Sequence, residues 1–184
     1  MGLTIHYKIR FKGNEIELLK KLNHIQHQCI NMGFEEVAEI QYIKYSKEDY
    51  EFYSDMERRI SYPNNSRKNI ERVTKILKQR GIDRDAMLDF ELFNRSTKIK
   101  EVEMIKFYIW AGKGCESTTL NFFKKGGKWH CRGFTKTEYA ADFIKCHSMI
   151  IETLDLFKNE GFELEVEDEA DYYKTRDYKQ LEKH

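Results

Sequence analysis

Two segments of the chain carry the same apolar stripe, and this repeat constrains the fold more than any other feature. The stripe has five positions, at i, i+4, i+7, i+11 and i+14, which fall on one face of an α-helix. In the first segment they are Leu18, Leu22, Ile25, Cys29 and Met32, and in the second Phe143, His147, Ile150, Leu154 and Phe157. Both segments end in related phrases, NMGFEEV and NEGFELEV. The sequence therefore predicts two long helices that each bury one face.

Strands are predicted on both sides of each helix. Residues 3–11 alternate between apolar and polar side chains, which is typical of a strand with one buried face. Residues 37–45 follow the first helix as a second strand, and the region between the two units adds a meander of three strands, at 104–110, 118–123 and 128–135. We therefore predict an α+β fold, with a mostly antiparallel sheet and two long helices packed on one of its faces. It is built from two β-α-β units plus the meander and is related to ferredoxin-like arrangements.

Residues 46–100 interrupt this pattern. The segment is rich in charge and contains the only proline of the chain, within YPNNSRKN. Ser66 or Asn65 is placed to cap a helix that reaches about Gln79, and its basic residues lie opposite a narrow apolar stripe. These basic residues are Arg67, Lys68, Arg72, Lys75 and Lys78. We predict a single domain over residues 1–184, in which 46–100 form a charged insertion with one or two helices, lying over an edge or the open face of the sheet.

Composition and charge bound the class of protein. The chain has 184 residues, of which 34% are charged and 40% hydrophobic, as in folded soluble domains. No apolar run approaches the roughly 18 residues of a membrane helix, and the N-terminus has no apolar signal region. We therefore expect a cytoplasmic protein with reduced cysteines and no membrane partner. Residues 56–80 are mostly basic and residues 159–177 mostly acidic. Such blocks are solvated faces, or they attract each other within the fold or across a homodimer.

Two pairs of neighbouring residues combine histidine with cysteine, His130–Cys131 and Cys146–His147. Neighbours point to opposite faces on a strand and lie about 100° apart on a helix. Each pair therefore offers at most one ligand, which leaves two where a structural zinc site needs four, and we predict no metal site. A Cys131–His147 dyad is an alternative, although buried cysteine most often packs as a small hydrophobe. His147 is the more unusual residue, because a histidine buried within an apolar stripe must find hydrogen-bond partners.

The sheet face that the helices leave open is predicted to be basic and aromatic. Alternation places His6, Lys8 and Arg10 there, and the meander adds Lys106, Tyr108, Trp110, His130, Arg132 and Lys136. Such a surface suits an anionic ligand, because arginine and lysine offer charge-assisted donors and rings offer stacking area. The insertion or a second subunit would cover the same face equally well. Single-stranded nucleic acid is a less favoured partner, since the pI is near 7.7 and the C-terminal third is acidic.

Four short motifs resemble a family of uncharacterised microbial proteins. They are GLTIHY at 2–7, GFTKTEYA at 133–140, FIKCH at 143–147 and DEADYYKTRD at 168–177. The similarity covers both ends of the chain but not the insertion. Glu138 stands where the family pattern has glutamine, and Ala170 where it has glycine. The resemblance implies no activity, cofactor or fold, but it singles out polar residues to test. These are His6, Lys136, Thr137, Tyr139, His147, Asp168, Glu169 and Arg176.

These residues support two classes of function. The first is binding of a small or anionic ligand or of a protein partner, including a second copy of the chain. Its ligand-binding residues would be His6, Lys136, Thr137, Tyr139 and Arg176. FTKTEYA lies at a strand-to-helix junction, where free N–H groups favour an anion. The alternative is a small acid/base enzyme that uses His147 with Asp168 or Glu169. A His147 enclosed by apolar neighbours, with no path to solvent, would argue against the enzyme. The residues identify no cofactor.

Overall fold

The computed structural model describes residues 3–61, 63, 65–93 and 101–183. Gly2 of the GLTIHY motif and residues 94–100 of the predicted insertion lie outside the described residues. The chain divides into two compact units. The first, unit 1, comprises Met1–Gln41 and Ile105–His184, and the second, unit 2, comprises Tyr42–Met104.

Among the described residues, seven strands form one antiparallel sheet. The strands are β1 Thr4–Phe11, β2 Glu36–Val37, β3 Gln41–Tyr45, β4 Val102–Trp110, β5 Thr118–Lys125, β6 Lys128–Lys136 and β7 Glu163–Asp168. Their order is β2-β4-β5-β6-β1-β7, and β3 also pairs with β4. Because β1 lies between β6 and β7, an antiparallel strand separates the two parallel strands of the second β-α-β unit. The α+β class and the predominantly antiparallel sheet are confirmed, and the relation to ferredoxin-like arrangements stays a prediction.

The helices over the described residues begin and end at defined positions. They are α1 Glu15–Met32, α2 Lys47–Ile60, α3 Arg67–Gln79, α4 Arg84–Phe93, α5 Phe143–Asn159, α6 Tyr172–Thr175 and α7 Tyr178–Leu181. Asn14 caps α1 in a reciprocal capping box with Glu17, and Gly33 ends α1 in the left-handed conformation that favours glycine. No helix in the described part of the chain is long and apolar enough to cross a membrane.

The helix stripes and the alternating strand form one core in unit 1. Leu18, Leu22, Ile25 and Cys29 of α1 are buried, as are His147, Ile150, Leu154 and Phe157 of α5. All of these except His147 join Ile5, Tyr7 and Ile9 of β1 in a single hydrophobic cluster, while His6 and Lys8 between them are exposed. Both long helices therefore pack on one face of the sheet, as the two periodicities predict.

The prediction of one continuous strand at 37–45 is wrong. The chain leaves the ladder of strand hydrogen bonds between β2 and β3. The Ala38 amide still donates to the Tyr108 carbonyl at 2.9 Å. The Ala38 carbonyl, however, accepts a hydrogen bond from the Gln26 side chain of α1 at 2.6 Å. A side-chain partner thus replaces a strand partner, which interrupts the regular pairing.

Unit 2 contains three helices among its described residues, where the sequence predicts one or two. Ser46 begins α2 with a capping box to Asp49, and Ser66 caps α3 as predicted. The three helices contact one another and bury Tyr53, Met56, Ile60, Val73, Leu77, Met87 and Phe90. Arg84 of α4 reaches Glu57 of α2 through two nitrogens, at 2.6 and 3.0 Å.

Candidate functional site

Thr137, His147 and Asp168 form a buried polar triad inside unit 1. The His147 Nδ1 atom lies 2.8 Å from the Thr137 hydroxyl, and its Nε2 atom lies 3.1 Å from Asp168 Oδ1. Thr137 follows β6, His147 lies in the second turn of α5, and Asp168 ends β7. Thr137 and His147 have no exposed surface, and Asp168 is 7% exposed. The triad therefore links the end of β6, α5 and the end of β7 at one buried position.

The hydrogen-bond geometry identifies which nitrogen of His147 carries a proton. The Thr137 hydroxyl has one proton, and it faces both His147 Nδ1 and the Leu3 carbonyl, which is 3.3 Å away. Whether the hydroxyl donates to Nδ1 or to the Leu3 carbonyl, an unprotonated Nε2 would point its lone pair at a carboxylate oxygen 3.1 Å away and would be repelled by it. Nε2 therefore carries a proton. Its N–H does not align well with Oδ1, so the contact is electrostatic rather than a well-directed hydrogen bond.

Asp168 also fixes the turn after β7. Its Oδ1 accepts the Ala170 amide at 2.9 Å, and its Oδ2 accepts the Tyr173 amide at 2.8 Å. Burial raises the pKa of the Asp168 carboxyl, but the contact with the His147 ring and the hydrogen bonds from these two amides together outweigh burial and hold the pKa below that of an ordinary aspartate. The carboxylate is therefore ionised at neutral pH.

The structure brings Thr137, His147 and Asp168 together and leaves the other predicted site residues apart from them. Glu169 accepts the Thr4 amide at 2.9 Å and donates its own amide to the Thr4 carbonyl, which extends the pairing of β1 with β7. His6 and Lys136 are exposed, and Tyr139 is 76% exposed. Arg176 pairs with Asp155 at 2.8 Å.

The closed triad does not favour the acid/base enzyme. A general base must reach a substrate proton, whereas His147 has no exposed surface and both of its ring nitrogens face protein oxygens. The same contacts leave no nitrogen for a Cys131–His147 dyad. The neighbours of His147 are not all apolar, so the acid/base enzyme is disfavoured by the burial of His147 and not by apolar surroundings. In the described residues, no group of three or more His, Cys, Asp or Glu side chains is placed to hold a metal.

The cations of β1 on the open sheet face are matched by glutamates of β7. Lys8 lies opposite Glu165, and Arg10 lies opposite Glu163. The Lys8 ammonium is 3.2 Å from Glu165, and Arg10 contacts both glutamates. These cross-strand ion pairs neutralise two of the basic groups that the sequence predicts for an anionic ligand. The predicted surface is therefore electrostatically balanced along β1.

A loop that the sequence analysis did not include in the site packs against the FTKTEYA turn. In the loop at 111–117, the Glu116 amide donates to the Lys136 carbonyl at 3.0 Å, and the Lys113 carbonyl accepts the Ala141 amide at 2.9 Å. Gly114 has a φ of 83°, and a Cβ on it would lie 1.9 Å from the Tyr139 carbonyl oxygen. The glycines of AGKGCES were the only sequence signal for this close approach.

A line of cations follows the exposed face of α3 in unit 2. Lys68, Arg72 and Lys75, here named the basic strip, are all exposed and lie opposite the buried Val73 and Leu77. They recur at i, i+4 and i+7, so they share one helix face. Within the described residues, no carboxylate forms an ion pair with any of the three. The neighbouring Arg67 pairs with Glu71.

The fold and these sites define an α+β protein with a closed polar triad in unit 1 and an exposed basic helix in unit 2. No protein-family model matches the chain, and comparisons with curated proteins and with solved structures give no match either. The inferences that follow therefore depend on the geometry of this chain alone.

Proposed function

We propose that the protein binds a polyanionic partner through the basic strip. The observation that carries this proposal is that the strip has no carboxylate partner among the described residues, whereas Lys8, Arg10, Arg59 and Arg84 all have one. α3 carries five cations against the single carboxylate of Glu71, and such an excess of exposed cations produces a positive potential that attracts anions. The sequence suggested binding of a small or anionic ligand or of a protein partner. This proposal specifies a polyanion and assigns its site to α3 instead of the open sheet face.

The strip also carries a cost that an anion would relieve. Arg72 lies one turn from both Lys68 and Lys75, and like charges at this spacing destabilise a helix by about 0.2–0.5 kcal/mol per pair. The first turn of α3 contains no acidic residue, whereas those of α1 and α2 do. Cations near a helix N-terminus are unfavourable because that end of the macrodipole is positive. A bound anion would offset both costs.

R72Q is expected to raise the free energy of unfolding of the unbound protein by about 0.4–1 kcal/mol, because it removes two like-charge pairs. Urea denaturation at low salt measures the change, which should disappear at about 1 M salt because screening removes the repulsion. K20Q is the matched control, since Lys20 is exposed on α1 with Glu17 one turn before it. A stability of R72Q equal to or below that of the wild type would contradict the repulsion.

The triple variant K68Q/R72Q/K75Q is expected to bind a heparin oligosaccharide about ten- to hundredfold more weakly than the wild type, since exposed ion pairs contribute up to about 1 kcal/mol each. Titration calorimetry at low salt measures the affinity. The control K12Q/K20Q/K158Q removes the same charge from exposed positions of unit 1 and should bind within about threefold of wild type. Equal losses in both variants, or no binding by the wild type, would refute the proposal.

A further inference from the structure

We infer that the polyanion is duplex nucleic acid, held through its phosphate backbone; this inference rests on the proposed function of the basic strip. The chemistry of the exposed face of α3 separates this partner from an acidic protein and from single-stranded nucleic acid. Each of these partners needs a different set of side chains beside the cations.

The exposed side chains of α3 are all polar or charged. They are Arg67, Lys68, Glu71, Arg72, Thr74, Lys75, Lys78 and Gln79. Protein interfaces depend on a few aromatic or apolar anchors that fill pockets, and single-strand binding depends on rings that stack on bases. Neither kind of group is exposed on α3. Phosphate contacts need only charge-assisted donors, which are what the face supplies.

The spacing of the strip also fits a duplex better than an acidic polypeptide. The helix rises about 1.5 Å per residue, so Lys68 and Lys75 lie about 10.5 Å apart along the axis. A duplex carries one negative charge per about 1.7 Å, which places about six charges within that length. An extended acidic peptide presents a side chain on one face only every 6–7 Å or so, which gives about two. The charge density of a duplex therefore suits three closely spaced cations better than that of an acidic peptide.

Binding through the backbone alone predicts an affinity that depends strongly on salt and weakly on sequence. For three phosphate contacts, log K should fall with log[salt] with a slope of about −2.7. Fluorescence anisotropy with labelled 20-base-pair DNA duplexes of two unrelated sequences measures K across a salt series. We expect the two duplexes to bind within about threefold of each other, because no base edge is read. A duplex RNA of the same length should give a similar slope.

K68Q should reduce the magnitude of this slope by about 0.9, because one phosphate contact is lost. K20Q, which removes the same charge from α1, should leave the slope unchanged. Tighter binding of poly-glutamate, or of single-stranded poly-dT, than of the duplex would overturn the duplex assignment and leave the proposed function intact if that binding still depended on the strip. If heparin, duplex and poly-glutamate all bind without dependence on the strip, both proposals fall.

Discussion

Asp168→Ala is expected to lower the free energy of unfolding by about 3–5 kcal/mol, because the His147 ring N–H and two backbone amides lose the buried carboxylate that they face. The variant removes the carboxylate that faces His147 Nε2 at 3.1 Å. It also removes the acceptor of the Ala170 and Tyr173 amides, which fix the turn after β7. Guanidinium denaturation measures the change, with the midpoint and the slope read separately.

Two variants separate the charge of Asp168 from general damage to β7. D168N keeps the size of the side chain and one oxygen acceptor but loses the charge, so its effect should be intermediate. E167A removes the preceding carboxylate, which is exposed, and should stay within about 0.5 kcal/mol of wild type. An E167A effect as large as that of D168A would mean that the triad has no special contribution.

The effect of D168A has a defined pH dependence. The contact with His147 and the hydrogen bonds from two amides hold the pKa of Asp168 in the folded protein below that of an ordinary aspartate. Its contribution to stability is therefore fully present above the unfolded pKa of about 3.9 and is lost as pH falls through the folded pKa. The difference between wild type and D168A should be constant near neutral pH and should narrow below about pH 4. A difference that stays constant into that acidic range would show that the ionised carboxylate is not its source.

Periodicity predicted the part of the fold that buries one face of each element. The stripes of α1 and α5 and the alternation of β1 place Leu22, Ile150 and Ile5 in one core, because burial on one face requires that spacing. α2 and α4 were not individually predicted, since charged residues surround their few buried positions, such as Met56 and Phe90. The strand order could not be predicted from periodicity either, because it depends on contacts between residues far apart in the sequence.

The candidate residues of the triad could be selected from local pattern alone. His147 interrupts an apolar stripe and Thr137 lies at the strand-to-helix junction, so both are visible in the sequence. The pairing of His147 with Asp168 depends on where β7 ends relative to α5, which no local pattern encodes. The basic strip was equally visible, but only the structure shows that none of its three cations forms an ion pair among the described residues.

Gly114→Ala is expected to lower the free energy of unfolding by about 2–5 kcal/mol, from strain and a steric clash together. Gly114 has a φ of 83°, and a Cβ would lie 1.9 Å from the Tyr139 carbonyl oxygen. Since that oxygen is backbone, the loop must separate from the turn that precedes α5. The separation would weaken the hydrogen bonds of Glu116 and Ala141 across the contact. Chemical denaturation measures the loss.

Gly126→Ala distinguishes the clash from the strain. Gly126 also has a positive φ, of 58°, but a Cβ there would meet no atom within 4 Å. Its substitution should therefore cost only the conformational strain, about 1–2 kcal/mol. The excess for G114A then measures how tightly the 111–117 loop is held against the turn. Equal losses in the two variants would mean that the loop moves aside freely, and the turn that carries Thr137 would then not depend on it for its position.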